Sequence, residues 1–227
     1  MRIALAVVLI CLAAASPALA GAWLRDQGSG FLSFGGTIYE GNPYVLGGSY
    51  VEYDTRAYAE YGLRPRLTVG LDLNDHAGVA GHALAFALLP LGNPDWRTRF
   101  ALQLGAGGHH LENQWMAMYK AGLAAGRGFE TRWGNGWMGA EAAIEIRRGL
   151  PDPIFKLDAV IGMSSGWRLR PLLKLESYSS SGQEIGWAVT PALMYTTRKG
   201  GTWVLGVKRT SLPERNLGLS LEIWRDF

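Results

Sequence analysis

Apolar and polar residues alternate along most of the chain, in segments of about ten residues. The clearest segment spans residues 51–61, where Tyr53 and Ala57 would face one side of a strand. Asp54 and Glu60 would face the other side, because successive side chains of a strand point to opposite faces. Gly, Pro, Asn and Asp separate the segments, as they do at turns between strands. The pattern therefore predicts an all-β protein built from antiparallel strands.

Twelve such segments can be counted, and an even number returns both ends of a barrel to the same side of a membrane. They lie near residues 31–39, 51–61, 66–74, 82–91, 96–106, 114–126, 137–147, 154–164, 168–178, 184–196, 202–210 and 216–227. A soluble β-sandwich also alternates, but its strands average about 5–6 residues, whereas a bilayer requires about 9–11. We therefore predict a transmembrane antiparallel up-and-down β-barrel of about 12 strands, with ten strands as the alternative.

Aromatic residues cluster beside every second predicted turn. This group consists of Tyr61, Trp96, Trp133, Trp137, Trp167, Trp203 and the C-terminal Phe227. A second group, near the opposite strand ends, consists of Tyr39, Tyr53, Trp115 and Tyr178. Membrane barrels carry aromatic girdles at both interfaces, and their short turns are periplasmic. We therefore predict two girdles, with the short turns facing the periplasm.

The first twenty residues have the pattern of a secretory signal peptide. Arg2 supplies the positive start, residues 3–15 form an apolar run, and residues 18–20 offer a small-x-small cleavage site. The run is too short for a membrane-spanning helix. We expect residues 1–20 to be removed during export and residues 21–227 to form one barrel domain.

Composition narrows the class of protein further. The only cysteine, Cys11, lies in the predicted signal peptide, so the remaining chain has no disulfide and no cysteine metal site. The chain has 31 Gly, 9 Trp, 9 Tyr and 7 Phe, which suits a barrel with interfacial aromatics better than a soluble protein. The formal net charge is only +3 and there is no basic stripe, so we expect no nucleic-acid partner. No motif indicates a cofactor.

The last twelve residues carry the most specific motif. Asn216, Gly218, Leu221 and Ile223 have the form polar-x-Gly-x-x-apolar-x-apolar, and Phe227 ends the chain. This motif resembles the C-terminal insertion signal of Gram-negative outer-membrane barrels, which the barrel-assembly machinery of that family reads. The resemblance implies a strand with its leucines and Ile223 toward lipid and its small and polar residues inward.

The family resemblance has one departure and one further point of similarity. Arg225 stands where the family usually has an aromatic or apolar residue, although an arginine near an interface can extend its charge to the headgroups. Residues 21–24 and 30–33 look like the start of small, mostly uncharacterised, porin-like proteobacterial outer-membrane proteins. The resemblance implies export through the periplasm, residence in the cell outer membrane and contact with outer-membrane lipid.

Charged residues at inward-facing positions favour a transport function. The predicted lumen residues are Glu52, Asp54, Arg56, Glu60, Asp72, Glu141, Lys156, Arg168, Arg170, Lys174 and Lys208. One hypothesis is a narrow channel for small polar or charged solutes. The alternative is a closed structural or interaction barrel, in which neighbouring charges pair and fill the interior.

Histidines and serines suggest two weaker hypotheses. An outer-membrane hydrolase would need a nucleophile beside a histidine, but Ser177, Ser179, Ser180 and Ser181 show no catalytic spacing, so we expect no enzyme activity. The sequence places His76, His82, His109 and His110 in or near two exposed loops, where they could hold a divalent metal together with Glu112. Four solvated loop histidines are the favoured interpretation, because spacing alone does not define a metal site.

Overall fold

The protein, described by a computed structural model over residues 22–40, 52–211 and 216–227, is built from twelve antiparallel strands. The predicted signal peptide at residues 1–20 lies outside this described part. The strands are β1 Gly30–Tyr39, β2 Tyr53–Arg64, β3 Leu67–His76, β4 Ala80–Leu91, β5 Thr98–Leu111, β6 Gln114–Thr131, β7 Gly134–Arg147, β8 Ile154–Met163, β9 Arg170–Ser180, β10 Gly186–Thr196, β11 Gly201–Thr210 and β12 Leu217–Asp226. No helix in the described part is long and apolar enough to cross a membrane.

Each strand pairs with its neighbours in the chain, and β1 also pairs with β12 to close the barrel. Phe34 of β1, for example, stands opposite Ala57 of β2 and Ile223 of β12. Closure gives every strand two partners, so that the backbone N–H and C=O groups are bonded within the wall. The predicted fold class and the count of twelve strands are confirmed. The largest differences in the bounds are at β5 and β6, which each extend five residues further than predicted.

The two faces of the barrel follow directly from the alternation. On β12, Leu219 and Leu221 are exposed on the outside, while Gly218 and Ser220 are buried on the inside. The same alternation places leucine, isoleucine and phenylalanine side chains over the exterior of the other strands. An exterior of this kind is what a hydrocarbon environment requires. The predicted orientation of the C-terminal strand is confirmed.

The two ends of the barrel are defined by their connections. The end that carries the start of β1 and the end of β12 is called the terminus end here, and the opposite end is called the loop end. At the loop end, β5 and β6 are joined only by Glu112 and Asn113, which have φ values of 48° and 64°. Positive φ at both central residues is the geometry of a type I′ hairpin turn, whose twist matches that of the strands.

Three of the described prolines lie within strands, two of them near a strand end and one in the middle of a strand. Pro90 and Pro171 each lie one residue from the end of a strand. Pro191 lies in the middle of β10, and there the pairing with β11 passes from Val189–Arg209 directly to Ala192–Gly206. The β10–β11 ladder is therefore interrupted at Thr190 and Pro191, as expected where proline removes a bond.

The aromatic girdles are only partly as predicted. Tyr61, Trp96, Trp133, Trp167, Trp203 and Phe227 are exposed at the terminus end, and Tyr53 and Trp115 are exposed at the loop end. Trp137, however, is 4% exposed and points into the barrel. Tyr39 is also buried, and together with Tyr178 it lines an interior cavity. These three residues belong to the lumen, because they share the alternation of the inward-facing residues on their strands.

Candidate functional site

The interior at the terminus end is filled by apolar side chains. This apolar layer consists of Phe31, Trp137, Leu172, Ala192, Met194, Val204 and Trp224, contributed by β1, β7, β9, β10, β11 and β12. All seven residues are buried, and Trp23, Tyr58 and Val160 pack against them. Phe31 makes edge-on contacts with the rings of Trp224 and Tyr58, at centroid distances of 6.2 and 6.4 Å. The lumen therefore has a packed hydrophobic core on this side.

The segment before β1 runs inward and adds to this closure. The backbone N–H of Arg25 donates to Thr68 Oγ1 of β3 over 2.8 Å, and its Nε donates to Glu60 Oε2 of β2 over 2.6 Å. The ring of Trp23 lies on β6, where a Cβ built on Gly126 would come within 2.0 Å of it. Only glycine permits that approach. The N-terminal segment is thus held against β2 and β3 on one side and β6 on another.

The middle of the lumen is crossed by ion pairs. Both terminal nitrogens of Arg56, on β2, lie 3.1 Å from Glu176 Oε1, on β9. The shorter way round the wall from β2 to β9 passes through β1, β12, β11 and β10, so this bond spans the interior. Lys208 Nζ lies 2.8 Å from the other oxygen of Glu176. Lys174 Nζ lies 2.5 Å from Glu222 Oε1, which links β9 to β12. These five residues form the ion-pair layer.

Other interior charges pair along the wall. Lys120 Nζ lies 2.6 Å from Glu141 Oε1 on the adjacent strand. Glu145, whose side chain is almost fully buried, is contacted at 2.7 Å by both Arg147 and Lys156. A buried carboxylate is tolerated when cations and hydrogen bonds compensate its desolvation, and Glu145 meets that condition. The interior is therefore charged but largely neutralised.

Two cavities remain between these groups. The outer cavity has a volume of about 450 Å³ and lies toward the loop end, where Tyr39, Asp54, His76 and Tyr178 line it. The inner chamber has a volume of about 230 Å³ and borders the apolar layer at Phe31, Trp137 and Trp224. Arg56, Lys174, Glu176 and Glu222 line both spaces. The ion-pair layer is therefore the partition between the outer cavity and the inner chamber.

One side of the outer cavity carries a hydrogen-bonded cluster around Asp54. Its carboxylate accepts a hydrogen bond from the hydroxyl of Tyr39. Its other oxygen lies 2.5 Å from Nδ1 of His76 at the end of β3. The sequence does not predict this cluster, because the position of Tyr39 near a strand end suggests an interfacial aromatic, although its alternation with the outward-facing Ile38 places it inside.

Most of the predicted lumen residues line the two cavities, and the others lie elsewhere. Asp54, Arg56, Lys156, Lys174 and Lys208 line the outer cavity, and Asp72 and Glu141 line the inner chamber. Glu60 is buried beneath the N-terminal segment, and Glu52 lies just before β2, where its carbonyl accepts a hydrogen bond from the backbone of Tyr39. Arg168 differs, because it is exposed in the turn before β9 and donates to the hydroxyl of the outward-facing Tyr195 over 3.2 Å.

Arg170 lies at the rim of the terminus end. Its guanidinium donates to the carbonyl of Ser164 over 2.8 Å and to the hydroxyl of Thr196. Two lumen residues that the prediction missed are Lys120 and Glu176. Both alternate with outward-facing apolar residues, Tyr119 and Leu175 among them, so the strand pattern does contain the signal that they face inward.

The histidines do not converge on one site. His82 and His109 are cross-strand partners within β4 and β5, and both are buried. His110 is buried as well, and its Nε2 lies 3.1 Å from Asp75 Oδ2. His76 is engaged with Asp54. The four histidines lie in strands near the two loops, but three of them are buried, so their interpretation as solvated residues is wrong. Within residues 22–40, 52–211 and 216–227, no group of three or more His, Cys, Asp or Glu residues is arranged to hold a metal ion.

The serine residues have structural contacts in the described part of the chain. Ser177 Oγ donates to the carbonyl of Leu157 over 2.8 Å. Ser180 Oγ is 3.4 Å from the carbonyl of Pro153. No hydrogen bond joins a described serine to a described histidine, and a hydroxyl without a base is not an activated nucleophile. The geometry offers no support for the hydrolase hypothesis.

Comparison with known proteins gives a match in structure only. No protein-family model and no curated protein matches the sequence. The KdgM porin in complex with disordered oligogalacturonate has 12% identity and a TM-score of 0.59, over 87% of this chain and 99% of that chain. The NanC porin has 12% identity and a TM-score of 0.59, over 85% and 97%. Omp33 of Acinetobacter baumannii has 9% identity and a TM-score of 0.50, over 89% and 99%. At these identities the likeness shows a shared barrel fold.

Proposed function

We propose that this chain is an integral outer-membrane β-barrel that acts as a narrow channel for small polar or charged solutes. The observation that carries the proposal is the charged interior, which surrounds an outer cavity of about 450 Å³ instead of being packed with apolar side chains. A barrel that served only as a scaffold would have no need to keep so many charges around open space. The lumen of an outer-membrane barrel conducts when it is filled with water.

The ion-pair layer is the constriction of this proposed channel. Arg56 and Glu176 meet across the lumen, and both side chains touch the outer cavity as well as the inner chamber. A solute must displace this bridge or pass beside it. Partly exposed pairs of this kind contribute little to stability, about 0–1 kcal/mol, so they can open at low cost.

The structural neighbours agree with this class of function without defining a solute. The NanC and KdgM barrels are described as porins, and one KdgM structure is a complex with oligogalacturonate. Their barrels have the same architecture as this chain, which supports a passage for small hydrophilic solutes.

A closed structural or interaction barrel is the competing proposal, and one observation favours it. The apolar layer and the N-terminal segment fill the lumen at the terminus end. If these groups never move, the outer cavity is a surface pocket with no exit on the other side.

Single-channel recording in planar bilayers decides between the two proposals. We expect folded, purified protein to give discrete current steps, and Arg56→Ala to increase their size because the bridge across the lumen is removed. Arg66→Ala is the matched control, since Arg66 is exposed in the β2–β3 turn. A complete lack of current steps from folded protein would contradict the channel and favour the closed barrel.

Location and assembly are part of the same proposal. The predicted signal peptide supports export through the periplasm, and the C-terminal strand supports recognition by the barrel-assembly machinery. The exposed leucines of β12 support direct contact with outer-membrane lipid. Fractionation of cells that express the full chain tests the location, and recovery in the soluble periplasmic fraction would contradict it.

A further inference from the structure

The cations that line the inner chamber are already engaged. Its lining includes Arg56, Lys120, Lys156 and Lys174. Arg56 contacts Glu176, Lys120 contacts Glu141, Lys156 contacts Glu145 and Lys174 contacts Glu222, at distances between 2.5 and 3.1 Å. A solute anion in the chamber would have to compete with a protein carboxylate for each of these groups.

Asp158 of β8 is a carboxylate of the lumen that forms no ion pair with a described residue. It lines both the chamber and the outer cavity, and no described residue makes an ion pair or hydrogen bond with its side chain. Its cross-strand partners are Glu141 on one side and Glu176 on the other. The residues opposite Asp158 on both neighbouring strands are therefore also acidic. The cations closest to those two residues already pair with them, Lys120 with Glu141, and Arg56 and Lys208 with Glu176.

A second acceptor in the chamber also lacks a partner. Gln103 is 3% exposed and lines the chamber, and its Oε1 receives no hydrogen bond from any described residue. His82 lines another part of the chamber, where its Nε2 lies 3.4 Å from Asp72 Oδ2 and makes no hydrogen bond with any described residue. The unsatisfied groups at Asp158 and Gln103 are both acceptors, and a solute that satisfies them must bring N–H or O–H donors.

The rest of the chamber suits a positively charged donor with an apolar body. Tyr58, Trp137 and Trp224 contribute aromatic surface to the lining. One protein ammonium already uses this surface, since Lys174 Nζ lies 5.2 Å from the ring centroid of Trp224. Cations are attracted to aromatic faces at this range. The volume of about 230 Å³ corresponds to roughly seven or eight water molecules, which limits the chamber to small molecules.

We propose that the inner chamber binds small organic solutes that bear a primary ammonium group, with Asp158 as their anionic partner. This inference names the solute class of the proposed channel and rests on it for passage, but binding in the chamber can be measured without any current. Asp158 then acts as the specificity-determining residue, because it is the chamber carboxylate with which no described residue makes an ion pair or a hydrogen bond.

Binding is tested by calorimetry on the folded protein in detergent at pH 8, with n-butylammonium, n-butanol and n-butyrate as matched probes. We expect n-butylammonium to bind more tightly than the other two. Asp158→Asn should weaken n-butylammonium binding by about ten-fold or more, the usual effect of losing a charge-assisted hydrogen bond. Asp158→Glu should retain most of the binding, and it also shows that a loss in Asp158→Asn is due to the missing charge.

Glu184→Gln is the control for the change in net charge, because Glu184 is exposed in the β9–β10 loop. This variant should bind n-butylammonium as tightly as the unmodified protein does. If n-butylammonium binds no better than n-butanol, or if Asp158→Asn binds it unchanged, the inference is wrong.

A reversal-potential measurement across a KCl gradient separates this inference from the channel proposal. We expect a preference for K⁺ that is reduced in Asp158→Asn and kept in Glu184→Gln. Current steps with a preference for Cl⁻ that Asp158→Asn leaves unchanged would overturn the inference and leave the channel standing. A lack of current steps would overturn the channel, and calorimetry would still accept or reject the ammonium site.

Discussion

The two halves of the lumen are built on opposite principles, although the same strands form both. Toward the terminus end the inward positions are Phe31, Trp137 and Trp224, and the space is packed. Toward the loop end the inward positions are charged, as at Lys174 and Glu176, and open volume remains around them. A strand such as β9 thus changes from apolar Leu172 to ionised Lys174 within two residues of the inward face.

The difference shows how one half of a barrel can stabilise the fold while the other half leaves room for solutes. Burial of a large apolar side chain stabilises the folded state by about 1.5–3 kcal/mol, so the apolar layer contributes strongly to holding the wall together. Partly exposed ion pairs contribute about 0–1 kcal/mol each, so the ion-pair layer can rearrange with little loss. Substitutions in the two halves should therefore differ in which property they change.

The largest effect is expected for Trp137→Ala in the apolar layer. Trp137 is 4% exposed, and truncation of a buried aromatic side chain costs about 3–5 kcal/mol because it leaves a cavity. The free energy of unfolding in urea, measured for protein folded into lipid vesicles, should fall by this amount. The current in planar bilayers should rise, because the variant opens the packed end of the lumen.

Trp167→Ala is the control for Trp137→Ala. Trp167 is 54% exposed in the β8–β9 turn, so its removal leaves no interior cavity and should cost much less. Equal losses of stability in the two variants would show that the apolar layer is not the packed core of this barrel.

Much of this arrangement is predictable from sequence, because the two-residue period of a strand assigns each side chain to a face. The twelve segments and the orientation of Leu219 and Ser220 follow from that period alone. The same period places Trp137 on the face of Glu141, yet its position beside a turn suggests an interfacial aromatic. The alternation is the stronger signal that Trp137 faces the lumen, since a residue beside a turn can face either the lumen or the lipid.

Other features have no signal in the local pattern. The bridge between Arg56 and Glu176 depends on the curvature and stagger of the closed wall, which bring β2 and β9 face to face. The inward course of the N-terminal segment is set by a buried partner, Glu60, and by the room that Gly126 leaves for Trp23. Contacts of this kind belong to the tertiary structure and are not encoded at fixed spacings.

The next largest effect is expected for Glu60→Gln, which removes the charge that holds the N-terminal segment. The side chain of Glu60 has no exposed surface, and it accepts hydrogen bonds from Arg25 Nε and Tyr58 Oη. Among the described residues, the other carboxylate that contacts Arg25 is Asp226. Loss of a charge-assisted bond at a buried site costs about 2–3 kcal/mol. The free energy of unfolding should fall accordingly.

Two further measurements bear on Glu60→Gln. Glu130→Gln, at an exposed position near the same end, should leave the free energy of unfolding unchanged. Protease cleavage within residues 22–29 should become faster in Glu60→Gln only, because the segment is released from the lumen. Unchanged cleavage would mean that packing of Trp23, and not the Arg25–Glu60 pair, retains the segment.

The smallest effect on stability is expected in the ion-pair layer, for Lys174→Met. Lys174 and Glu222 are partly exposed to the cavities, so the loss of their pair should change the free energy of unfolding by less than about 1 kcal/mol. The current should nevertheless change, because an unpaired Glu222 adds negative charge to the partition between the two cavities. The double variant Lys174→Met with Glu222→Gln removes that charge and should return the ion preference toward that of the unmodified protein. A loss of stability as large as that of Trp137→Ala would contradict the division of the lumen, since both halves would then hold the barrel together.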